Sequence, residues 1–113
     1  MTPAPSPLPA ELERKLRSLH ADDAARASAT ALLADVLAKV EGERVALAAL
    51  KLAGADLDAL ARWVRAARED YRDVLAWAEY PRQMRLGPDA PLAEQARARR
   101  EDAAEYARWL QAP

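Results

Sequence analysis

The residues best suited to do chemistry gather in one stretch, DYRDVLAWAEYP, which holds Asp70, Asp73, Glu79 and Tyr80 beside Arg72. Paired carboxylates with a tyrosine can serve general acid–base catalysis, provided a cleft shifts the pKa of one of them. The structural reading is simpler. Asp70 followed by Asp73 is a pattern that starts a helix, because a carboxylate accepts from the free amides of a first turn and favours its positive end. Glu79 fits less well, since it falls at a helix C-terminus, where an anion is disfavoured unless Arg82 or Arg85 pairs with it. A small enzyme built on Asp70, Asp73 or Glu79 with Tyr80 is therefore an alternative reading and not the main one.

Other catalytic chemistries find no support. The single histidine, His20, falls at the end of the first predicted helix, where a cation suits the dipole and the ring can reach a terminal carbonyl. Asp22 and Asp23 stand near it, but no second histidine or cysteine completes a metal set, and the Asp pair reads as a helix start. Ser6, Ser18 and Ser28 lack a nucleophile-elbow context, and three isolated glycines make no phosphate loop. The expectation is no catalytic residue, no metal and no cofactor.

Two surface chemistries are also legible. Arg62, Arg65, Arg68 and Arg72 form a ridge on one helix side, with Arg82 and Arg85 following, and Trp77 and Tyr80 nearby could stack a base. Asp58, Glu69, Asp73 and Glu79 are interleaved on that ridge, and Asp58–Arg62 has the favourable i, i+4 order. A solvated, salt-bridged face explains the ridge better than a nucleic-acid accessory protein does. The second chemistry is a protein contact. Trp77, Tyr80, Arg82, Met84 and Arg85 cluster at a helix end, and Trp, Tyr, Met and Arg are the types enriched at interface centres. Trp77 lies off the apolar stripe of its helix, so either Tyr106 and Trp109 of the last helix cover it or a partner does.

The elements that must position these residues are helices. Ala, Leu, Arg and Glu dominate, while Ile, Phe and Cys are absent and strand formers are scarce. Residues 1–8, with proline at positions 3, 5 and 7, read as a flexible arm, and Pro9 opens a single helical domain over residues 9–113. Helix 1 is predicted over about 9–20, with Leu12, Leu16 and Leu19 on one face and Lys15 on the other. Helix 2 runs from an Asp22 cap to near Glu41, its stripe being Ala25, Ala29, Leu32, Leu33, Val36, Leu37 and Val40. Gly42 breaks the chain there, and helix 3 over 43–53 is apolar on more than one side. Gly54 and Asp56 separate it from residues 57–81, which have the longest helical pattern and read as the spine on which the other helices pack. That stripe holds Leu57, Leu60, Trp63, Val64, Ala67, Tyr71, Val74, Leu75 and Ala78. It passes Asp70 without a phase slip, which allows either one helix or a new start at Asp70. Pro81 ends the element, 82–90 read as loop around Gly87-Pro88, and a last helix covers 91–110 with a weak stripe of Leu92, Ala96, Ala103, Tyr106, Ala107 and Leu110.

The segments RVALAALKLAGADLDAL and DYRDVLAWAEYP resemble a group of small bacterial proteins that share an LKLA-GDLD-L segment and a DYRDVLA-AEYP segment. The resemblance covers residues 44–81 and departs at Gly54-Ala55-Asp56, where the group pattern has Gly directly before Asp. It implies a bacterial origin and a shared fold, and it carries no activity or site residue across.

At 113 residues the chain suffices for one domain with a modest core. Much of the apolar content is alanine, which removes little area from water, so closely packed helices and a homodimer that adds buried area are expected. A net charge of −1 gives no overall attraction to nucleic acid or anionic membrane. No run spans a bilayer and no basic, apolar leader opens the chain, so a cytoplasmic location without membrane contact is expected. The sequence thus predicts an all-α, single-domain, irregular or antiparallel bundle of four to five helices. Its expected role is a non-catalytic structural or protein–protein interaction module.

Overall fold

The most apolar run, VALAALKLA at 45–53, forms the innermost helix. The computed structural model describes residues 8–113, and among these there are six α-helices and no strand. They are α1 (Ala10–Leu19), α2 (Asp23–Leu37), α3 (Gly42–Ala53), α4 (Leu57–Glu79), α5 (Pro81–Leu86) and α6 (Leu92–Gln111). Every side chain of α3 from Val45 to Leu50 is buried, and α4, the helix formed by the expected spine over 57–81, packs on α2, α3, α5 and α6. α4 lies along α3, α2 packs on both, α1 covers α3 and α2, and α5 and α6 pack on each other and on α4. Residues 1–7 of the proline-rich arm lie outside the described residues; Leu8 packs against the core.

The core is built from small pieces. Leu12, Leu16, Leu33, Val45, Leu50, Leu60 and Val74 are its large buried members, and eight of the nineteen buried apolar side chains among the described residues are alanines. Alanine adds little apolar area but lets helices approach closely, which is how α2, α3 and α4 share one interior. α3 also needs room at its start. A Cβ on Gly42 would lie 2.5 Å from the Leu37 carbonyl oxygen, so only glycine permits α2 and α3 to meet at this corner.

That corner corrects the expected end of helix 2. α2 stops at Leu37, and the turn places Glu41, not Gly42, in the left-handed region at φ 58°. The stripe extrapolated to Val40 therefore fails, and Val40 is 70% exposed. In α4 the apolar stripe survives a break. Asp70 is extended (φ −156°, ψ 101°), and its Oδ1 accepts from the Arg72 amide at 3.0 Å. Of the two readings the sequence allowed, the new start at Asp70 is the one found. Leu60, Val64 and Ala67 before it, and Val74, Leu75 and Ala78 after it, are buried.

The sixth helix, α5, occupies part of the expected loop. Pro81 serves as a helix start, its fixed φ suiting the first position, and nothing in RQMRL opposes helix until Gly87. α6 differs from expectation in its face. Leu92 is 83% exposed, and Ala103 and Ala107 are also exposed, whereas Ala98 and Asp102 are buried. The helix therefore docks through polar groups as well as through Trp109 and Leu110, which pack against the core. Lys15, expected on the solvent side of α1, is buried, and its Nζ donates to the Trp109 carbonyl at 2.7 Å and the Ala112 carbonyl at 3.3 Å. Arg14 donates to the carbonyls of Leu110 and Ala112. Two cations of α1 thus satisfy the free carbonyls at the C-terminal end of α6 and sit where its dipole favours positive charge. Burial lowers the Lys15 pKa from its ordinary value, and the neighbouring Arg14 charge adds to this.

Replacing Glu41 with glycine removes left-handed strain and is expected to stabilise the protein by about 1 kcal/mol. Gly42→Ala, which forces the α2–α3 corner apart, should lower the melting temperature. Thermal unfolding followed by circular dichroism tests both, and equal melting for the two variants would refute this account of the corner.

Candidate interaction groove

Pro81 has no N–H to leave unpaired, so the first turn of α5 leaves the amides of Arg82 and Gln83 to be satisfied. Tyr80, in the N-cap position, offers no side-chain acceptor. Asp102 of α6 takes that role from across the structure. Its Oδ1 accepts from the Arg82 amide (3.1 Å) and Arg82 Nη1 (3.1 Å), and its Oδ2 from the Gln83 amide (3.2 Å) and Gln83 Nε2 (3.2 Å). The carboxylate is fully buried. Burial pushes its pKa up, but the two amides and two side chains that donate to it outweigh burial, and the net shift is below the usual value. Although no helix-start pattern in the sequence marks Asp102, it is the most buried acid described.

Arg82 is drawn into the same network. It pairs with Asp102, with Glu101 at 3.2 Å and with Glu105 at 3.3 Å, while Glu105 also holds Lys51 of α3 at 3.0 Å. The Lys51 bond is the largest influence lowering the Glu105 pKa. Arg82 thus ties α5 to α6, and Glu105 ties both to α3. With α5 fixed, the wall beside it is set. Lys51, Leu52, Trp63, Trp77, Pro81, Arg82, Arg85 and Glu105 surround an open groove of about 310 Å³.

The five residues singled out in the sequence divide as follows. Trp77, Arg82 and Arg85 share this groove. Met84 opens onto a second groove with Gln83, Leu86, Gly87, Pro88 and Gln95. Tyr80 is 42% exposed and lines neither. Trp77 is 38% exposed. Trp109, one of its expected covers, turns to α1, where the Lys15 ammonium lies 4.3 Å from its ring centroid, and its ring stands 5.8 Å from that of Tyr106. Trp63, which periodicity assigned to the core, is half-buried and faces the groove. Its position at the edge of the stripe was the only available signal. Nothing local marked Lys51 or Glu105 as its polar rim.

The acid–base candidates are not assembled. Asp70 caps the second half of α4 and pairs with Arg72, whose hydrogen bond is the main cause holding its carboxyl below the ordinary range. Asp73 is exposed. Glu79 does not pair with Arg82 or Arg85. Arg44 of α3 holds it through Nε at 2.8 Å and Nη2 at 2.6 Å, because Glu79 faces α3 while Arg82 turns toward α6. Glu79 lines a groove with Arg44 and Tyr106, and Asp70, Asp73 and Tyr80 are not among its walls. Burial, reinforced by the Glu79 charge, pushes the Tyr106 hydroxyl up to about 12. That hydroxyl and His20 Nε2 are buried without a hydrogen-bond partner among the described residues. The ring of His20 therefore does not make the expected bond to a terminal carbonyl; its backbone N–H does, to Leu16.

On the arginine ridge, Arg68 is held by Asp35 and Arg72 by Asp70. Arg62 and Arg65 are exposed, and the Asp58–Arg62 pair is not formed among the described residues. No group of three or more His, Cys, Asp or Glu side chains suited to a metal occurs among the described residues, and no described helix is long and apolar enough to cross a membrane. Comparison with protein-family models, curated proteins and solved structures yields no match.

Asp102→Ala leaves the Arg82 and Gln83 amides without their acceptor and should cost about 2 kcal/mol, measured by urea unfolding. The pH dependence follows from the depressed Asp102 pKa. Its stabilisation is complete above the unfolded-state value near 3.8 and is lost as pH falls through the lower folded-state value. Asp102→Asn should therefore flatten the acid limb of the stability profile. An unchanged acid limb would remove Asp102 from this role.

Proposed function

We propose that the protein is a non-catalytic helical interaction module whose partner docks in the groove lined by Trp63 and Trp77. The observation that carries this reading is the composition of that groove. Two indoles, Leu52 and Pro81 form an apolar floor on three helices, and Trp77 is 38% exposed. Large aromatic surface left open beside arginine is the composition of interface hot spots. The polar rim is graded. Lys51, Arg82 and Glu105 are spent on one another, whereas Arg85 makes no ion pair among the described residues and faces both this groove and the one lined by Arg97 and Glu101. A partner segment with an apolar anchor next to a carboxylate matches that distribution: the anchor covers the indoles and the carboxylate meets Arg85.

The groove is supported from beneath, which favours recognition over catalysis. Asp102 and Glu105 fix α5 through bonds that leave no titrating group of the acid–base set on the floor. A site on braced helices loses little conformational freedom on binding.

Short synthetic peptides with a leucine or tryptophan anchor beside glutamate, titrated against intrinsic tryptophan fluorescence, test this reading. Saturable binding that weakens about tenfold or more with Trp77→Ala or Arg85→Glu is expected, a loss of about 1.4 kcal/mol. Melting should change little, since both side chains are exposed. Gross destabilisation by Trp77→Ala would instead make that residue part of the core. Peptide binding unaffected by either change would reject the groove.

A further inference from the structure

A second surface lies on the other side of α4, and it was not marked by the sequence. Where α2 ends, α3 begins and α4 breaks at Asp70, a groove of about 440 Å³ opens between Val36, Val45, Ala67 and Tyr71, edged by Asp35, Lys39 and Arg68. Val40 is part of the groove's lining and is 70% exposed, far more open than Trp77. A recess with apolar walls and a largely exposed apolar side chain at its edge thus occupy one patch. That combination is what an isologous contact requires, because a twofold axis brings the same patch of both copies together and each must supply both knob and hole.

We propose that this face joins two copies of the chain about a twofold axis, with Val40 of each copy seated in the groove of the other. Charge complementarity favours a second copy over an unrelated partner. The rim carries both signs, Asp35 in the last turn of α2 and Lys39 in the turn that follows it, and Lys39 makes no ion pair among the described residues. A twofold axis passing between them brings Lys39 toward Asp35 of the partner subunit and repeats the pair on the far side of the axis. The Asp35–Arg68 pair within the chain holds that acid at the rim. The small-residue core supplies a further reason. With eight alanines among its nineteen buried apolar side chains, the described chain gains less from its own interior than a Leu-rich bundle would, and covering Val40 and Tyr71 adds apolar burial. The contact is separate from the Trp63–Trp77 groove, so a dimer presents two such grooves.

Sedimentation velocity of the full chain over a range of micromolar concentrations tests the proposal. A monomer–dimer equilibrium is expected. Val40→Asp and Lys39→Glu should each weaken it about tenfold or more, with helix content unchanged by circular dichroism because both positions are exposed. Mixing Lys39→Glu with Asp35→Arg should recover association, since the opposed charges match again across the axis. Trp77→Ala should leave the dimer intact, which separates this outcome from that of peptide binding. A wild-type monomer at every concentration overturns the proposal, as does a dimer indifferent to both Val40→Asp and Lys39→Glu.

Discussion

The buried Asp102 carboxylate at the start of α5 fixes the face around Trp63 and Trp77. A six-residue helix is too short to be stable alone, and a proline at its first position does not supply an acceptor for the amides that follow. Those amides must find one elsewhere. Asp102 provides it without a free charge being left in the interior, because Arg82 comes with the amides and neutralises it. The bond therefore does three things together: it caps α5, anchors α6 and fixes where Pro81 and Arg85 stand relative to Trp77. The groove is a consequence of how a short helix solves its hydrogen bonding.

The same solution recurs at the other end of α6. This helix has little apolar surface to bury, with Ala98 its only buried apolar residue. Besides the packing of Trp109 and Leu110 on the core, it is held by charged groups reaching its backbone and its acids: Asp102 to α5, Glu105 to Lys51, and Arg14 and Lys15 to its last carbonyls. Such contacts add less than apolar burial per residue but fix orientation sharply, because a misplaced helix would leave a buried ion unpaired. Tyr106 and Trp109 then pack as a pair under Lys15, which explains why Trp77 is not their partner.

The two exposed faces have different origins. The Trp63–Trp77 groove exists because α5 turns toward α6 and leaves the indole side of α4 open. The Val40 groove exists because α2 stops at Leu37, before its apolar stripe is exhausted, and the chain turns through a left-handed Glu41 to bring Gly42 against Leu37. Val40 is the residue of the stripe left outside the turn. In each case a local backbone requirement, a proline start or a corner with no room for a Cβ, decides which apolar side chains remain at the surface.

Short-range physics is what the amino-acid order makes legible. Apolar residues repeating every three to four positions mark a helix face, and the buried apolar members of α1 and α4 fall on the faces so marked. Gly54, Asp22, Asp56 and Asp70 act at the helix ends as their conformational and capping preferences dictate. Trp77 was legible as lying off its stripe, while what covers it was left open between the last helix and a partner. Only the tertiary structure decided the rest, since the partners are far apart in the chain: Arg82 meets Asp102 across 20 positions, Glu79 meets Arg44 across 35, and Arg14 meets Ala112 across 98. A charge carries no periodic signature of its partner, so Lys15 and Asp102 look like solvent residues until helices bring their acceptors and donors to them. The extent of α2 and the presence of α5 were hidden for a related reason. Each depends on whether a turn or a first amide is satisfied by distant groups, and that is fixed only when the helices pack.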